Sequence, residues 1–215
     1  KVFKYKDFFF NVNNVDIPLP YYSSFIFKTY ELNDRIILER NLKAQHKCII
    51  IGGGIGFIPA IVNNITKNKV LIFEINNKII KNLKLNLTKN KIKFKILNYN
   101  LLLNKKDIQN YYYSNENFLA TSMFRTSQKK IKLKNILFNK VKNINDFNTL
   151  IIDGEGIEKH YIENIKILKK VKFIFFEFHN DIFTNVQKSK IFKKLKQEGF
   201  FLEDKFINSY YFIKH

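Results

Sequence analysis

The chain has 215 residues, 46% of them hydrophobic, with 7 Gly, 3 Pro and a single Cys, and it carries a formal charge of +20. That length buries one good-sized core, and the composition excludes a disordered chain, a collagenous or Pro-rich repeat, a disulfide scaffold and a Cys-based zinc cluster. The charge alone points to nucleic acid or an anionic surface, yet only Arg35, Arg40 and Arg125 are Arg. The other 35 basic residues are Lys, beside 28 Asn, a bias that A/T-rich codons produce without selection for phosphate contacts.

Residues 1–45 read as an aromatic-rich arm (Phe8, Phe9, Phe10, Tyr21, Tyr22, Phe25, Phe27, Tyr30) of irregular structure, closed by a short amphipathic helix over 31–42. The core unit spans 46–215. Its first strand, 47–51, is apolar on both faces, as a buried parallel strand is, with Cys48 as a small buried hydrophobe. It runs into Gly52-Gly53-Gly54-Ile55-Gly56 and a helix over 57–65 that tolerates Pro59 in its first turn. A strand at 69–74, a helix with Ile79, Ile80, Leu83 and Leu87 on its inner face, and a strand at 92–97 complete a β-α-β-α-β order.

Residues 98–147 break this rhythm as an insert with a short strand at 130–133. The alternation resumes with a strand at 149–153, a helix at 158–170, a strand at 172–178, a helix at 185–198 and strands at 200–205 and 210–213. The short turn between the last two makes them antiparallel neighbours. The predicted fold is α/β: a doubly wound, Rossmann-like seven-stranded sheet, mostly parallel with an antiparallel C-terminal strand. The longest apolar run, 48–62, falls short of the roughly 20 residues of a spanning helix. With no secretory signal visible, the cytoplasm is the expected compartment. The only Met is Met123, so the sequence is expected to be processed or excised from a longer chain.

A glycine-rich turn between a buried strand and a helix brings backbone N–H groups close to an anionic ligand. The dinucleotide fingerprint needs a Gly at position 57, where Phe57 stands, and the P-loop needs Lys-Ser/Thr after its last Gly. What remains is Gly-x-Gly-x-Gly (Gly52, Gly54, Gly56), the pattern of class I S-adenosylmethionine-dependent methyltransferases. Glu74, ending the next strand, stands where an acid should accept hydrogen bonds from two ribose hydroxyls. Asp153 and Glu155 follow the fourth strand and face the same crevice, and Glu177 and His179 end the fifth, sharing a face by the two-residue period.

These blocks resemble the FkbM family of methyltransferases from about Tyr30 to the C-terminus. The resemblance rests on Tyr30-Glu31, the Gly52 to Gly56 loop, Phe73-Glu74-Ile75-Asn76, the run from Ile152 to Glu158, and Glu177-Phe178-His179. It implies S-adenosylmethionine as cofactor and O-methylation of a sugar or other natural-product hydroxyl. Two positions depart from the family. Ile50 stands where an Asp is usual, which removes an expected contact to the cofactor's amino-acid end, and Gly53-Gly54 replace Ala-Asn.

The candidate cofactor contacts are therefore Gly52, Gly54, Gly56, Phe57, Glu74, Asn98, Tyr99 and Asp153, with Asn98 and Tyr99 toward adenine. His179 is the candidate base that takes the acceptor's proton, with Asp153 as its rival and Glu155 orienting the acceptor or His179. Asp153, Glu155, Glu177 and His179 form a set that a hard cation would accept, but the spacing does not require one and no metal is expected. His46, His160 and His215 read as surface residues, and the insert, with Ser122, Met123, Phe124 and Arg125, as a wall of the acceptor pocket. An RNA-directed methyltransferase, or a non-catalytic nucleic-acid-binding domain, is the rival reading that the charge motivates. Two carboxylates beside the acceptor weigh against a phosphate backbone.

Overall fold

The computed structural model describes residues 1–12, 19–105, 111–113, 121–122, 129–131, 133–154, 156–179 and 182–215. The N-terminal arm is more regular than its sequence suggests. Strands β1 (Val2–Tyr5) and β2 (Phe8–Asn11) form an antiparallel hairpin turned at Lys6, which takes a left-handed φ of 52°. Side-chain burial accounts for it, since Phe3 stacks on Phe10 and Phe25 while Phe10 and Tyr5 meet Phe57. Aromatic pairs of this kind add about 0.5–1.5 kcal/mol each beyond their buried area. Helix α1 (Leu19–Ile26) leads into α2 (Leu32–Asn41).

The core then builds as β3 (Cys48–Ile51), α3 (Phe57–Thr66), β4 (Val70–Phe73), α4 (Asn77–Lys89) and β5 (Phe94–Leu97). The segment read as an insert contributes β6 (Asn100–Leu102), β7 (Tyr111–Tyr113), β8 (Thr121–Ser122), β9 (Lys129–Ile131) and β10 (Asn135–Leu137). β6 pairs with β10 in parallel, and β7 pairs with both β8 and β9. The chain closes with β11 (Thr149–Ile152), α5 (Glu158–Glu163), β12 (Phe173–Glu177), α6 (Asn185–Gln197), β13 (Phe200–Phe206) and β14 (Ser209–Lys214). Helix α5 stops well before residue 170, where the apolar spacing would carry it. The Asn164 side chain takes the His160 carbonyl at 3.0 Å, and a short 3-10 turn, Ile165–Ile167, follows; such side-chain bonds compete with the helical ladder.

The seven-stranded sheet has the order β13-β14-β12-β11-β3-β4-β5, with only β14 running against its neighbours. Its central strands are buried on both faces, so they read as unbroken apolar runs. Ile50, Ile72, Ile151 and Phe175 pack against α2, α3 and α4 on one face. Ile49, Leu71, Leu150, Ile174 and Phe176 pack against α5 and α6 on the other. Each such side chain contributes about 1.5–3 kcal/mol on leaving water. Cys48 lies in this core as a buried thiol. His46 also lies inside, 1% exposed against the rings of Phe173 and Phe175, so it is not a surface residue. Among the described residues no helix is long and apolar enough to cross a membrane. The strand order reverses between β3 and β11, and the crevice beyond the carboxyl ends of these strands is where open α/β sheets bind ligands.

Candidate functional site

The glycine loop links β3 to α3 at this switch point. Gly52 has a φ of 91°, and a Cβ there would lie 2.0 Å from the Asp153 carbonyl oxygen, so close approach of β3 and β11 demands glycine. Gly54 is different: with φ 50°, a Cβ would meet only the Tyr30 hydroxyl, at 3.7 Å. Its missing side chain leaves open space over the loop, a cradle for a ligand that approaches backbone. Gly56, φ 94°, starts α3 against Leu83 and Leu87.

Glu74 fastens this loop. One carboxylate oxygen accepts the amides of Gly53 at 2.8 Å and Gly54 at 3.1 Å, and the other accepts the Asn76 amide at 2.8 Å. Burial pushes the Glu74 carboxyl above the ordinary glutamate range, and the bonds from Asn76, Gly53 and Gly54 pull it back down. A carboxylate has roughly four acceptor sites, and the amides of Gly53, Gly54 and Asn76, with the Ile75 amide also acting on it, take up most of them, where two ribose hydroxyls are expected to donate. Asn76 caps α4 by accepting the Lys78 amide, which gives the Glu-x-Asn spacing a physical reason. Asn98 donates to the Glu74 carbonyl at 2.7 Å and ties β5 to β4, while Tyr99 beside it is 36% exposed. Phe57 meets the loop through its backbone. Its ring is buried among Tyr5, Phe10 and Tyr30, and only its backbone amide, in the first turn of α3, belongs to the loop.

Across from the loop, a cavity of about 580 Å³ is lined by Tyr30, Glu31, Asn33, Asp34 and Glu177 among others. Glu31 turns the chain into α2 with a left-handed φ of 50°, a conformation that costs a non-Gly residue about 1–2 kcal/mol. Carboxylate oxygens of Glu31, Asp34 and Asp153 lie within 4.8 Å of one another. Asp34 is buried and pairs with the Ser209 hydroxyl. Burial, followed by the charges of Glu177 and Glu31, holds its carboxyl well above the usual range. Among the described residues, Glu31 and Asp34 join Asp153 in one acidic cluster, while Glu155, a member of the set read from the sequence, lies outside them.

The Glu177 carboxylate accepts from the Asn33 side chain at 3.2 Å. Strand β12 ends at Glu177, so the two-residue period does not extend to His179. His179 instead brings its Nε2 within 3.8 Å of Glu158 Oε1, at the start of α5. The Glu158 side chain is fully buried and His179 is 14% exposed. Glu155, and Met123, Phe124 and Arg125 of the insert, lie outside the described residues.

Three contributors escaped the sequence reading. Asp34 was not singled out in the short helix over 31–42, and only the start of β14 reveals its buried partner, Ser209. Glu158 entered only as the end of the Ile152 to Glu158 run, yet its side chain is fully buried. Asn33 carried no signal at all. The available hint was Tyr30-Glu31 just upstream, which marks the start of α2 as more than an outer helix.

The fold matches solved methyltransferases. Ribosomal protein L11 methylase from Lactobacillus delbrueckii subsp. bulgaricus is similar at a TM-score of 0.53 and 13% identity, over 85% of this chain and 77% of that one. A methyltransferase from Pyrococcus furiosus gives 0.52 and 12%, over 94% and 90%. M. jannaschii TYW2, solved in complex with AdoMet, gives 0.50 and 10%, over 99% and 83%. No protein-family description and no curated protein sequence matches the chain. At these identities the likeness establishes the fold, a class I methyltransferase-type sheet with its glycine loop at the switch point.

Proposed function

We propose that this chain is an S-adenosylmethionine-dependent methyltransferase of the FkbM type that methylates a hydroxyl of a sugar or other small natural product. The observation that carries the reading is the Glu74 carboxylate locked onto the Gly53 and Gly54 amides at the switch point, beside the open space over Gly54. The cofactor supplies, when bound, an electrophilic methyl group on a sulfonium. Glu74 accepts a ribose hydroxyl, and Asn98 and Tyr99 border the adenine.

Ile50, where the family has an acid, is fully buried in the core. The acidic group for the cofactor's ammonium end comes instead from Glu31, Asp34 and Asp153, whose carboxylates converge on one another and of which Asp153 lies with its backbone against Gly52. An ammonium group there offsets the negative charge that this acidic cluster gathers.

His179 takes the acceptor hydroxyl's proton. Its Nε2 lies 3.8 Å from Glu158 Oε1, which leaves Nδ1 as the ring nitrogen to meet the acceptor hydroxyl. Glu177, held by Asn33, lines the cavity on the acceptor side. A crevice walled by carboxylates favours a neutral polyol over a phosphate backbone.

Transfer of a labelled methyl group to a panel of sugars and hydroxylated small molecules, run beside RNA and protein acceptors, tests this reading. The label is expected on a small-molecule oxygen. Incorporation confined to RNA or protein would refute the hydroxyl-acceptor assignment.

A further inference from the structure

The opposite end of the sheet holds a second cleft. A cavity of about 380 Å³ there is lined by Lys47, Lys69, Lys95 and Lys142, with Leu71 and Phe147 on its apolar side. The lysines are placed by the sheet. Ile49 pairs with Leu71 and Leu71 with Lys95, while Lys47 and Lys69 stand two residues before Ile49 and Leu71. The two-residue period therefore puts Lys47, Lys69 and Lys95 on one face of three adjacent strands, which run about 4.8 Å apart. Lys142, from the segment that precedes β11, closes the ring.

All four lysines are exposed, and none forms an ion pair or side-chain hydrogen bond with the described residues. Among the described residues, Asp146 is the sole carboxylate lining the cavity. Elsewhere the scarce acids are spent on lysines, as in Lys6 with Glu39 and Lys194 with Glu198. Four unpaired ammonium groups around one concave space repel one another, and an anion seated among them removes that repulsion. The apolar wall adds a requirement that a bare inorganic ion does not meet. Small-ligand sites combine an apolar lining with a few convergent polar groups, and here Phe147, half-buried against the core, lines the apolar side.

We propose that this cleft binds a nucleotide, with its phosphate among Lys47, Lys69, Lys95 and Lys142 and its base against Phe147. The nucleotide is either free or part of an RNA strand. This site is separate from the glycine-loop crevice and does not depend on the methyl-transfer reading.

The test is an amide NMR titration of the full chain with uridine 5′-monophosphate, inorganic phosphate and a short uridine oligonucleotide, uridine being used because adenosine would also enter the crevice. Uridine monophosphate is expected to shift Val70, Leu71, Asn143 and Phe147 and to leave Gly52 to Gly56 unmoved. Inorganic phosphate should act at least about tenfold more weakly, and Lys69→Glu with Lys95→Glu should abolish the response. If that pair of changes unfolds the sheet, Lys142→Glu, outside the strands, carries the same expectation. Tighter binding of the oligonucleotide with a steep salt dependence identifies a strand as the source; equal affinity identifies the free nucleotide. No shift at these residues, a response that survives the lysine changes, or inorganic phosphate matching the nucleotide would overturn the proposal.

Discussion

The two ends of the sheet treat charge in opposite ways. At the carboxyl end, Glu74, Asp34 and Glu158 are buried: backbone amides bond Glu74 and Glu158, a serine hydroxyl bonds Asp34, and the His179 imidazole lies 3.8 Å from Glu158. At the amino end, Lys47, Lys69, Lys95 and Lys142 are exposed around their cleft. Burying a charge is costly unless its partners are built with it, so the few buried acids mark a constructed site far more sharply than the many exposed lysines do. A net charge of +20 thus describes the surface and hides an acidic crevice.

The strongest way to break the carboxyl end is Gly52→Ala. The new Cβ meets the Asp153 carbonyl and the backbone loses its left-handed residue, so we expect a loss of about 4 kcal/mol or more, measured by urea unfolding. Glu74→Ala comes next. It strands three backbone N–H groups and should cost about 2–4 kcal/mol in stability, along with cofactor affinity; Glu74→Gln should recover part of the stability.

Glu158→Gln sharpens the comparison within the same end. If Glu158 orients His179, turnover should fall by about 10–100-fold, within the range of a base contribution, with cofactor affinity unchanged in calorimetry. Loss of cofactor affinity would instead give Glu158 a structural role.

The smallest effect is a pH dependence. Asp34, raised by burial and then by Glu177 and Glu31, keeps its proton in the native state at pH values where the unfolded chain has released it. The native state then binds more protons than the unfolded one, so stability falls as pH rises above the ordinary carboxylate pKa of about 4, until Asp34 itself ionises. Asp34→Asn should raise the melting temperature at neutral to alkaline pH by a few degrees and flatten the slope. An unchanged slope would contradict this placement of the proton.

The sheet was legible because its strands are apolar on both faces: the runs at Cys48–Ile51, Val70–Phe73 and Thr149–Ile152 admit no other environment, and glycines follow the first of them. The loop and Glu74 were legible from spacing. The hairpin of β1 and β2 was not, because its order comes from contacts with Phe25 and Phe57, distant in sequence. Asp34 and Glu158 were hidden for a similar reason. Their partners Ser209 and His179 lie 175 and 21 residues away, and a charged residue on a short helix looks solvated until those partners are placed.

The central claim is that the glycine loop and Glu74 form a cofactor site, and calorimetry of the full chain with S-adenosylmethionine and S-adenosylhomocysteine tests it most directly. The account predicts one site for each, with thermal stabilisation that grows with ligand concentration and is lost in Glu74→Ala. The absence of both heat and stabilisation with either ligand in the unmodified chain would contradict it.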